Sequence, residues 1–155
     1  MGKIVIGVVL SAICYAAIHI ILLNVGGSSI PDFKYYSLEG KVVGKEILTQ
    51  KKKTVFLYAL PDCDICASEL NKVNLLRAQS DFNLVVIFPF DQSVHYSQNE
   101  PPIQSLRADD AVLIDRDDRF QSDFGLGIVA EFPTLLLYDE TDQFVSKYRQ
   151  VPDKI

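Results

Sequence analysis

A chain of 155 residues is long enough for one compact domain with its own hydrophobic core. Its formal net charge of −5 excludes a typical nucleic-acid-binding protein, which needs a basic face. Its three cysteines are too few and too unevenly placed for the disulfide framework of a small secreted protein. We therefore expect a globular domain, no nucleic-acid partner, and cysteines that are used for chemistry.

The N-terminal segment is long and apolar. Residues 4–25 contain no Asp, Glu, Lys or Arg, and a helix that rises about 1.5 Å per residue would cross a hydrocarbon core of roughly 30 Å. A cleaved signal peptide is the alternative, but no clear small-x-small site closes the run before Gly26. We predict a transmembrane anchor at residues 1–25, a flexible linker at 26–29 and a folded domain at 30–155.

The remainder of the chain predicts strands that are separated by turns and helices. Apolar and β-branched runs bounded by Gly, Pro or charged residues mark the strands. The predicted strands are residues 33–38, 41–44, 54–60, 84–88, 111–114, 134–138 and 144–148. The runs at 54–60 and 84–88 are apolar almost throughout, which is typical of central strands covered on both faces.

Helical spacing follows the first of these two central strands. Cys66, Leu70 and Val73 would share one face of a helix, and a shorter helix is predicted at 119–124. The order strand, helix, strand gives a right-handed parallel crossover. Residues 91–110 have little periodicity, so any helix there is short. The sequence predicts an α/β fold with a mixed sheet and flanking helices.

Cys63 and Cys66 form a Cys-x-x-Cys pair at a predicted strand-to-helix junction. The first-turn N–H groups of a helix carry partial positive charge, which favours the thiolate of Cys63. We predict that Cys63 attacks a substrate disulfide and that Cys66 resolves the mixed disulfide. The flanking carboxylates of Asp62 and Asp64 should raise the pKa of Cys63, which favours the disulfide form and therefore a reductase.

Two further motifs are candidates for the same site. Glu69 is one helical turn beyond Cys66, where it is either a proton acceptor for the resolving thiol or a solvated helix residue. The second motif is Phe132-Pro133-Thr134, because a proline that enters a strand belongs at its start or at an edge. A cis bond before Pro133 would make a tight turn next to the cysteines, and an ordinary trans proline is the alternative.

Metal binding is the main alternative use of the cysteines. Structural zinc would need two more Cys or His ligands at matching spacing, and there is no second Cys-x-x-Cys. A copper chaperone that uses Cys63, Cys66 and His95 is the rival function, because soft thiolates suit Cu(I). Peroxide reduction is a third option, but it would need a threonine placed shortly before the reactive cysteine, and residues 59–62 contain none. We expect no metal and no cofactor.

The order of these motifs resembles the TlpA/ResA-like branch of membrane-anchored thioredoxins, from about residue 30 to 148. The matching pieces are the hairpin that opens at Ile30-Pro31-Asp32-Phe33, Cys-x-x-Cys-x-x-Glu at 63–69, the segment 115–125 and Phe132-Pro133-Thr134. The resemblance implies a thioredoxin-like fold and a cis bond before Pro133. It also implies a substrate groove at this proline motif, with Glu69 as the active-site acid.

The resemblance further implies a function and a location. Members of this branch are tethered to the cell membrane by a single span, and their soluble domain is periplasmic. They reduce protein disulfides, often those of apocytochrome c, with electrons from a transmembrane thiol carrier.

The sequence departs from the family pattern in three places. Asp62 replaces the usual Trp, Asp64-Ile65 lacks the usual proline, and the C-terminal helix is missing or reduced to residues 149–155. We therefore expect one sheet face to be under-covered near the final strands.

Overall fold

The computed structural model describes residues 29–91, 103 and 106–155. The predicted anchor and all of the linker except Ser29 lie outside these residues, as does His95. Within the described ranges, no helix is both long enough and apolar enough to cross a membrane.

In the described residues, seven strands form one mixed sheet and two α-helices pack against it. The strands are β1 Tyr35–Ser37, β2 Val42–Val43, β3 Lys53–Tyr58, β4 Phe82–Pro89, β5 Ala111–Asp115, β6 Thr134–Tyr138 and β7 Phe144–Tyr148. The helices are α1 Asp64–Arg77 and α2 Phe120–Asp123, and a 3-10 turn spans Lys45–Ile47. Every predicted strand is present, and β6 and β7 have the predicted bounds. The 3-10 turn was not predicted.

The strand order across the sheet is β2-β1-β5-β4-β3-β6-β7. The central strands β3, β4 and β5 are parallel to one another, whereas β1, β2, β6 and β7 join through antiparallel pairs. Helix α1 connects β3 to β4, which confirms the predicted parallel crossover. Because the carboxyl ends of parallel strands meet at one edge of a sheet, α1 begins at the edge where functional groups commonly collect.

Alternation along β3 separates the core into two layers. Val55 and Leu57 point to one face, where they join Leu70 and Val73 of α1 in a largely aliphatic cluster. Phe56 and Tyr58, which alternate with them along β3, point to the opposite face and join a largely aromatic cluster. The described domain is therefore a central sheet with a separate apolar layer on each side.

Residues 149–155 contain no helix. They nevertheless contribute to the core, because Val151 and Ile155 pack against the aliphatic cluster. The segment 149–155, the C-terminal tail, thus covers part of the aliphatic face of the sheet, near the final strands, where we expected too little cover. An irregular segment can do this when a few apolar side chains reach the sheet, and such contacts produce no periodic pattern in the sequence.

Candidate active site

The two cysteines of the Cys-x-x-Cys motif lie at the N-terminus of α1 and form a disulfide. Cys63 is the N-cap residue of the helix, and its Sγ accepts a hydrogen bond from the Cys66 N–H at 3.1 Å. A sulfur therefore occupies the position where a Ser or Asp oxygen usually satisfies a free helix N–H. The junction between β3 and α1 is where the sequence predicted it.

The two sulfurs differ in their access to solvent. Cys63 is half-buried, whereas only 1% of Cys66 is exposed. Asp62 and Asp64, on either side of Cys63, are both exposed. A reagent that approaches from solvent reaches Cys63 before Cys66, as the predicted roles of attacking and resolving thiol require.

Glu69 is buried on the inner side of α1, with 4% of its surface exposed. Its Oε1 accepts a hydrogen bond from Lys72 Nζ at 2.6 Å, and its Oε2 accepts one from the Val151 N–H at 2.6 Å. The alternative of a solvated helix glutamate is therefore wrong. The carboxylate lies one turn beyond Cys66 and is held from both sides, by its own helix and by the C-terminal tail.

The Phe132–Pro133 peptide bond is cis, as the resemblance implied. Pro133 is buried and leads directly into β6, whose first residue, Thr134, pairs with Tyr58 at the end of β3. The Thr134 Oγ1 donates a hydrogen bond to the Glu131 carbonyl at 2.8 Å, which stabilises the turn. Since Tyr58 directly precedes the loop to the cysteines, the proline turn and the disulfide lie at the same edge of the sheet.

Phe132 connects this turn to both apolar layers. Its ring lies 5.1 Å from the Tyr58 ring, centroid to centroid, on the aromatic side. It also packs against the aliphatic cluster, as Cys63 does. The structure thus brings the cysteine pair and the Phe-Pro-Thr turn together at one edge of the sheet, and the buried Glu69 follows Cys66 along α1.

Sequence reasoning missed Asp115, a buried residue at the end of β5 that contacts Tyr58. Its Oδ1 and Oδ2 accept hydrogen bonds from the Arg119 and Phe120 N–H groups, both at 2.9 Å, and so cap α2. Its Oδ2 also accepts a 3.5 Å hydrogen bond from the Tyr58 hydroxyl. Burial raises the pKa of Asp115, and the two N–H donors oppose that rise. The signal in the sequence was an aspartate that ends an apolar strand just before a helix.

The described residues do not contain a group of three or more His, Cys, Asp or Glu side chains arranged to bind a metal ion. His95, which the copper alternative would use as a third ligand, lies outside the part of the chain that the structure describes. The two sulfurs are bonded to each other, and a disulfide sulfur is not a thiolate ligand.

Comparison with known proteins finds similarity of structure and not of sequence. No known family profile matches this chain, and no curated protein matches it. Among solved structures, a thioredoxin from Neisseria meningitidis is 23% identical, with a TM-score of 0.59, over 81% of this chain and 83% of that one. The thioredoxin domain of a thiol–disulfide oxidoreductase from Bacteroides vulgatus is 16% identical, with a TM-score of 0.60, over 83% and 91%.

A third similar structure is a secreted disulfide oxidoreductase of Mycobacterium tuberculosis, described as homologous to E. coli DsbE. It is 14% identical, with a TM-score of 0.54, over 80% of this chain and 87% of that one. All three identities lie below the level at which structural similarity would indicate a shared activity. The comparisons and the mixed sheet together show that this chain has the thioredoxin fold.

Proposed function

We propose that this protein is a thiol–disulfide oxidoreductase that reduces disulfides of other proteins through Cys63 and Cys66. The single observation that supports this most strongly is the disulfide itself, which lies at the N-terminus of α1 and at the same sheet edge as the cis proline. Helix position favours the Cys63 thiolate once the pair is reduced, and the fold is one that known oxidoreductases share.

The reaction begins with the reduced pair. The Cys63 thiolate attacks one sulfur of a substrate disulfide, so that a mixed disulfide forms and the other substrate sulfur leaves as a thiolate. Cys66 loses its proton and attacks the Cys63 sulfur, which releases the second substrate thiolate and closes the Cys63–Cys66 disulfide. Two electrons have then passed to the substrate. A thiol donor must return two electrons to Cys63 and Cys66 before the next turnover.

Glu69 acts in this scheme as the proton acceptor for Cys66. It is buried on the same helix, one turn beyond the resolving cysteine. A carboxylate in this position has the charge that a proton acceptor needs. Phe132, Pro133 and Thr134 line the groove in which the substrate segment lies beside Cys63.

We place the domain outside the cytoplasm, tethered to the cell membrane by residues 1–25. Support comes from the long, largely apolar run without charged residues at 4–25 and from a similar structure that belongs to a secreted protein. In an oxidising compartment a dithiol needs a dedicated source of electrons, so we propose a transmembrane thiol carrier as the donor. The resemblance of the sequence motifs favours apocytochrome c among the substrates and a periplasmic site of action.

Insulin reduction by the full chain in detergent micelles, with dithiothreitol as the electron source, tests the activity. Cys63→Ser should abolish the catalysed rate, whereas Cys66→Ser should accumulate a mixed disulfide that a gel without reductant detects. Cys14→Ser is the matched control, because it removes a cysteine outside the pair, and it should keep the parent rate. An inactive parent chain would contradict the proposal.

Two further measurements separate the remaining alternatives. Copper titration of the reduced chain should give no tight stoichiometric site. A tight Cu(I) site in a chain that lacks reductase activity would favour the copper chaperone instead. Labelling of intact cells with a membrane-impermeant thiol reagent should modify Cys63, and protection until lysis would contradict the proposed location.

A further inference from the structure

The loop that precedes the cis proline exposes apolar side chains at its tip. Residues 127–130 are all exposed, with Ile128 at 100% and Val129 at 69% of their full accessibility. Gly127 turns the chain outward with a φ of +90°, and a Cβ added there would meet nothing within 4 Å. Two adjacent, solvated β-branched residues at a loop tip cost free energy in isolation, which is typical of a surface that meets a partner.

The base of this loop is fixed, so the tip is presented in a defined place. On one side Leu126 is buried and its N–H donates to the Gln121 carbonyl at 2.8 Å. On the other side Glu131 accepts a hydrogen bond from Lys147 Nζ at 3.2 Å and forms an ion pair with Arg149. The loop then passes directly into the Phe-Pro-Thr turn of the site.

The surface next to Cys63 also exposes apolar side chains. Ile65, between the two cysteines, is 64% exposed, and Leu60, at the end of the β3 run, is 38% exposed. Apolar side chains therefore flank Cys63 in the β3–α1 loop and in the first turn of α1, and others project from the loop before the cis proline, which leads to the same sheet edge. We define Leu60, Ile65, Ile128 and Val129 as the apolar rim.

Negative charge lies immediately beside this rim. Asp62 and Asp64 are exposed on either side of Cys63, and within the described ranges neither forms a salt bridge. A partner that brought positive charge to this position would gain a complementary contact, and one that brought negative charge would be repelled. An anionic lipid surface is disfavoured for the same reason.

We propose that the site selects protein disulfides whose cysteine is flanked by a basic residue on one side and by bulky apolar residues on the other. This inference rests on the proposed function and names its substrate class. The basic residue pairs with Asp62 and Asp64, and the apolar residues cover the rim. Both contacts form while the substrate sulfur approaches Cys63, so they raise the rate of mixed-disulfide formation.

A matched set of peptide disulfides tests the proposal. Four peptides of equal length would carry, around one cysteine, Lys with Leu, Lys with Ser, Ser with Leu, and Glu with Leu. The rate at which each oxidises the reduced full chain in neutral detergent is measured by acid quenching and mass spectrometry. We expect the peptide with Lys and Leu to react about two- to fivefold faster than the peptide with Ser and Leu. We expect it to react about tenfold faster than the peptide with Lys and Ser.

Two double variants test whether the apolar loop causes the preference for Leu and whether the two aspartates cause the preference for Lys. Ile128→Ser combined with Val129→Ser should remove most of the gain from Leu and leave the gain from Lys. Asp62→Asn combined with Asp64→Asn should remove the gain from Lys, as should salt near 1 M, at which the screening length falls to about 3 Å. Val42→Ser, at an exposed apolar residue on the far strand β2, should change neither preference.

The outcomes distinguish this inference from the proposed function. Equal rates for all four peptides, with normal insulin reduction, would overturn the inference and leave the oxidoreductase in place. Failure to reduce any peptide or insulin would overturn the proposed function itself. Burial of Ile128 and Val129 in the bilayer of the reconstituted full chain, with unchanged peptide rates in the double variant, would show that the loop meets a membrane and would also overturn the inference.

Discussion

The two faces of the sheet are built from different side chains and have different tasks. One face carries a network of packed rings, with centroid separations between 4.1 and 6.4 Å. Its members are Phe33, Tyr35, Phe56, Tyr58, Phe120, Phe124, Phe132, Tyr138 and Phe144. The other face is largely aliphatic and carries α1 with the cysteine pair.

The difference between the two faces indicates which part of the domain is the more rigid. Rings packed edge to face and stacked add specific geometry to ordinary burial, so the aromatic face is a fixed support. On the aliphatic face the reactive helix is covered partly by the irregular tail, and its buried Glu69 depends on a tail N–H group. Apart from Phe132, which lines the proposed groove, we expect variants of the aromatic face to change stability alone. We expect variants of the aliphatic face to change reactivity as well.

The largest expected effect is on the aromatic face. Phe56→Ala removes a fully buried ring that lies 4.9 Å from Phe124 and 5.7 Å from Tyr138, centroid to centroid. We expect a loss of about 3–5 kcal/mol in the free energy of unfolding. Denaturant unfolding followed by near-UV circular dichroism measures it. Val145→Ala, at an exposed position on β7, is the control and should change stability by less than about 0.5 kcal/mol.

The proposed difference between the two faces would be wrong if Phe56→Ala changed the rate of thiol–disulfide exchange. Thiol-exchange rates of the fraction that remains folded should equal those of the parent chain. A slower exchange at full folding would show that the aromatic face takes part in the reaction.

Glu69→Gln should have the next largest effect, and it should act on rate. The amide keeps an acceptor for the Val151 N–H but cannot take a proton from Cys66, so the resolving step should slow by about 10- to 100-fold. The lifetime of the mixed disulfide reports this step.

Lys72→Gln is the matched control for Glu69→Gln. It removes the other partner of the carboxylate, a lysine whose side chain is 51% exposed, and leaves the proton acceptor in place. We expect less than about a twofold change in rate. Equal losses in both variants would mean that Glu69 has only a structural role.

Removal of residues 151–155 should have a moderate effect on stability. The deletion takes away the N–H donor to the buried Glu69 and the apolar cover from Val151 and Ile155. An unsatisfied buried acceptor alone costs about 1–3 kcal/mol. Urea unfolding of the full and the shortened chain measures the loss. Lys154→Ala, an exposed tail residue, should be neutral, and a shortened chain of unchanged stability would contradict the role of the tail.

The smallest expected effect is a pH dependence from Asp115. Burial raises its pKa in the folded chain above the unfolded value, so its protonated form is favoured by folding. Its contribution to stability is complete below the unfolded pKa and is lost as the pH rises through the raised folded pKa. Because two N–H donors oppose the shift, we expect this to be the smallest of the predicted effects.

Asp115→Asn isolates this dependence. The hydrogen bond from Lys147 and the ion pair with Arg149 lower the pKa of Glu131, and such a carboxylate makes the protein less stable as the pH falls. Only the difference between variant and parent is therefore informative. Unfolding midpoints between pH 4 and 7 should show the parent losing stability relative to the variant as the pH rises. The opposite slope would contradict the raised pKa.

Much of the fold and of the site follows from local patterns. The runs that became β3 and β4 are apolar almost throughout, and a strand covered on both faces requires that composition wherever it lies. The Cys-x-x-Cys spacing and its place before helical periodicity fixed the cysteines at the start of α1. A proline after Phe132 and before an apolar strand marked the turn, and the family resemblance supplied the cis bond.

The tertiary structure alone decided which of these pieces touch. The Val151 N–H and Glu69 are 82 residues apart in the chain, and Tyr58 and Asp115 are 57 apart, so no local pattern records either pair. A tail without periodicity gives no sign of the face that it will cover. The sequence determined which segments become strand, helix and reactive pair, because those depend on neighbouring residues. Partners across the sheet depend on packing, which only the folded chain establishes.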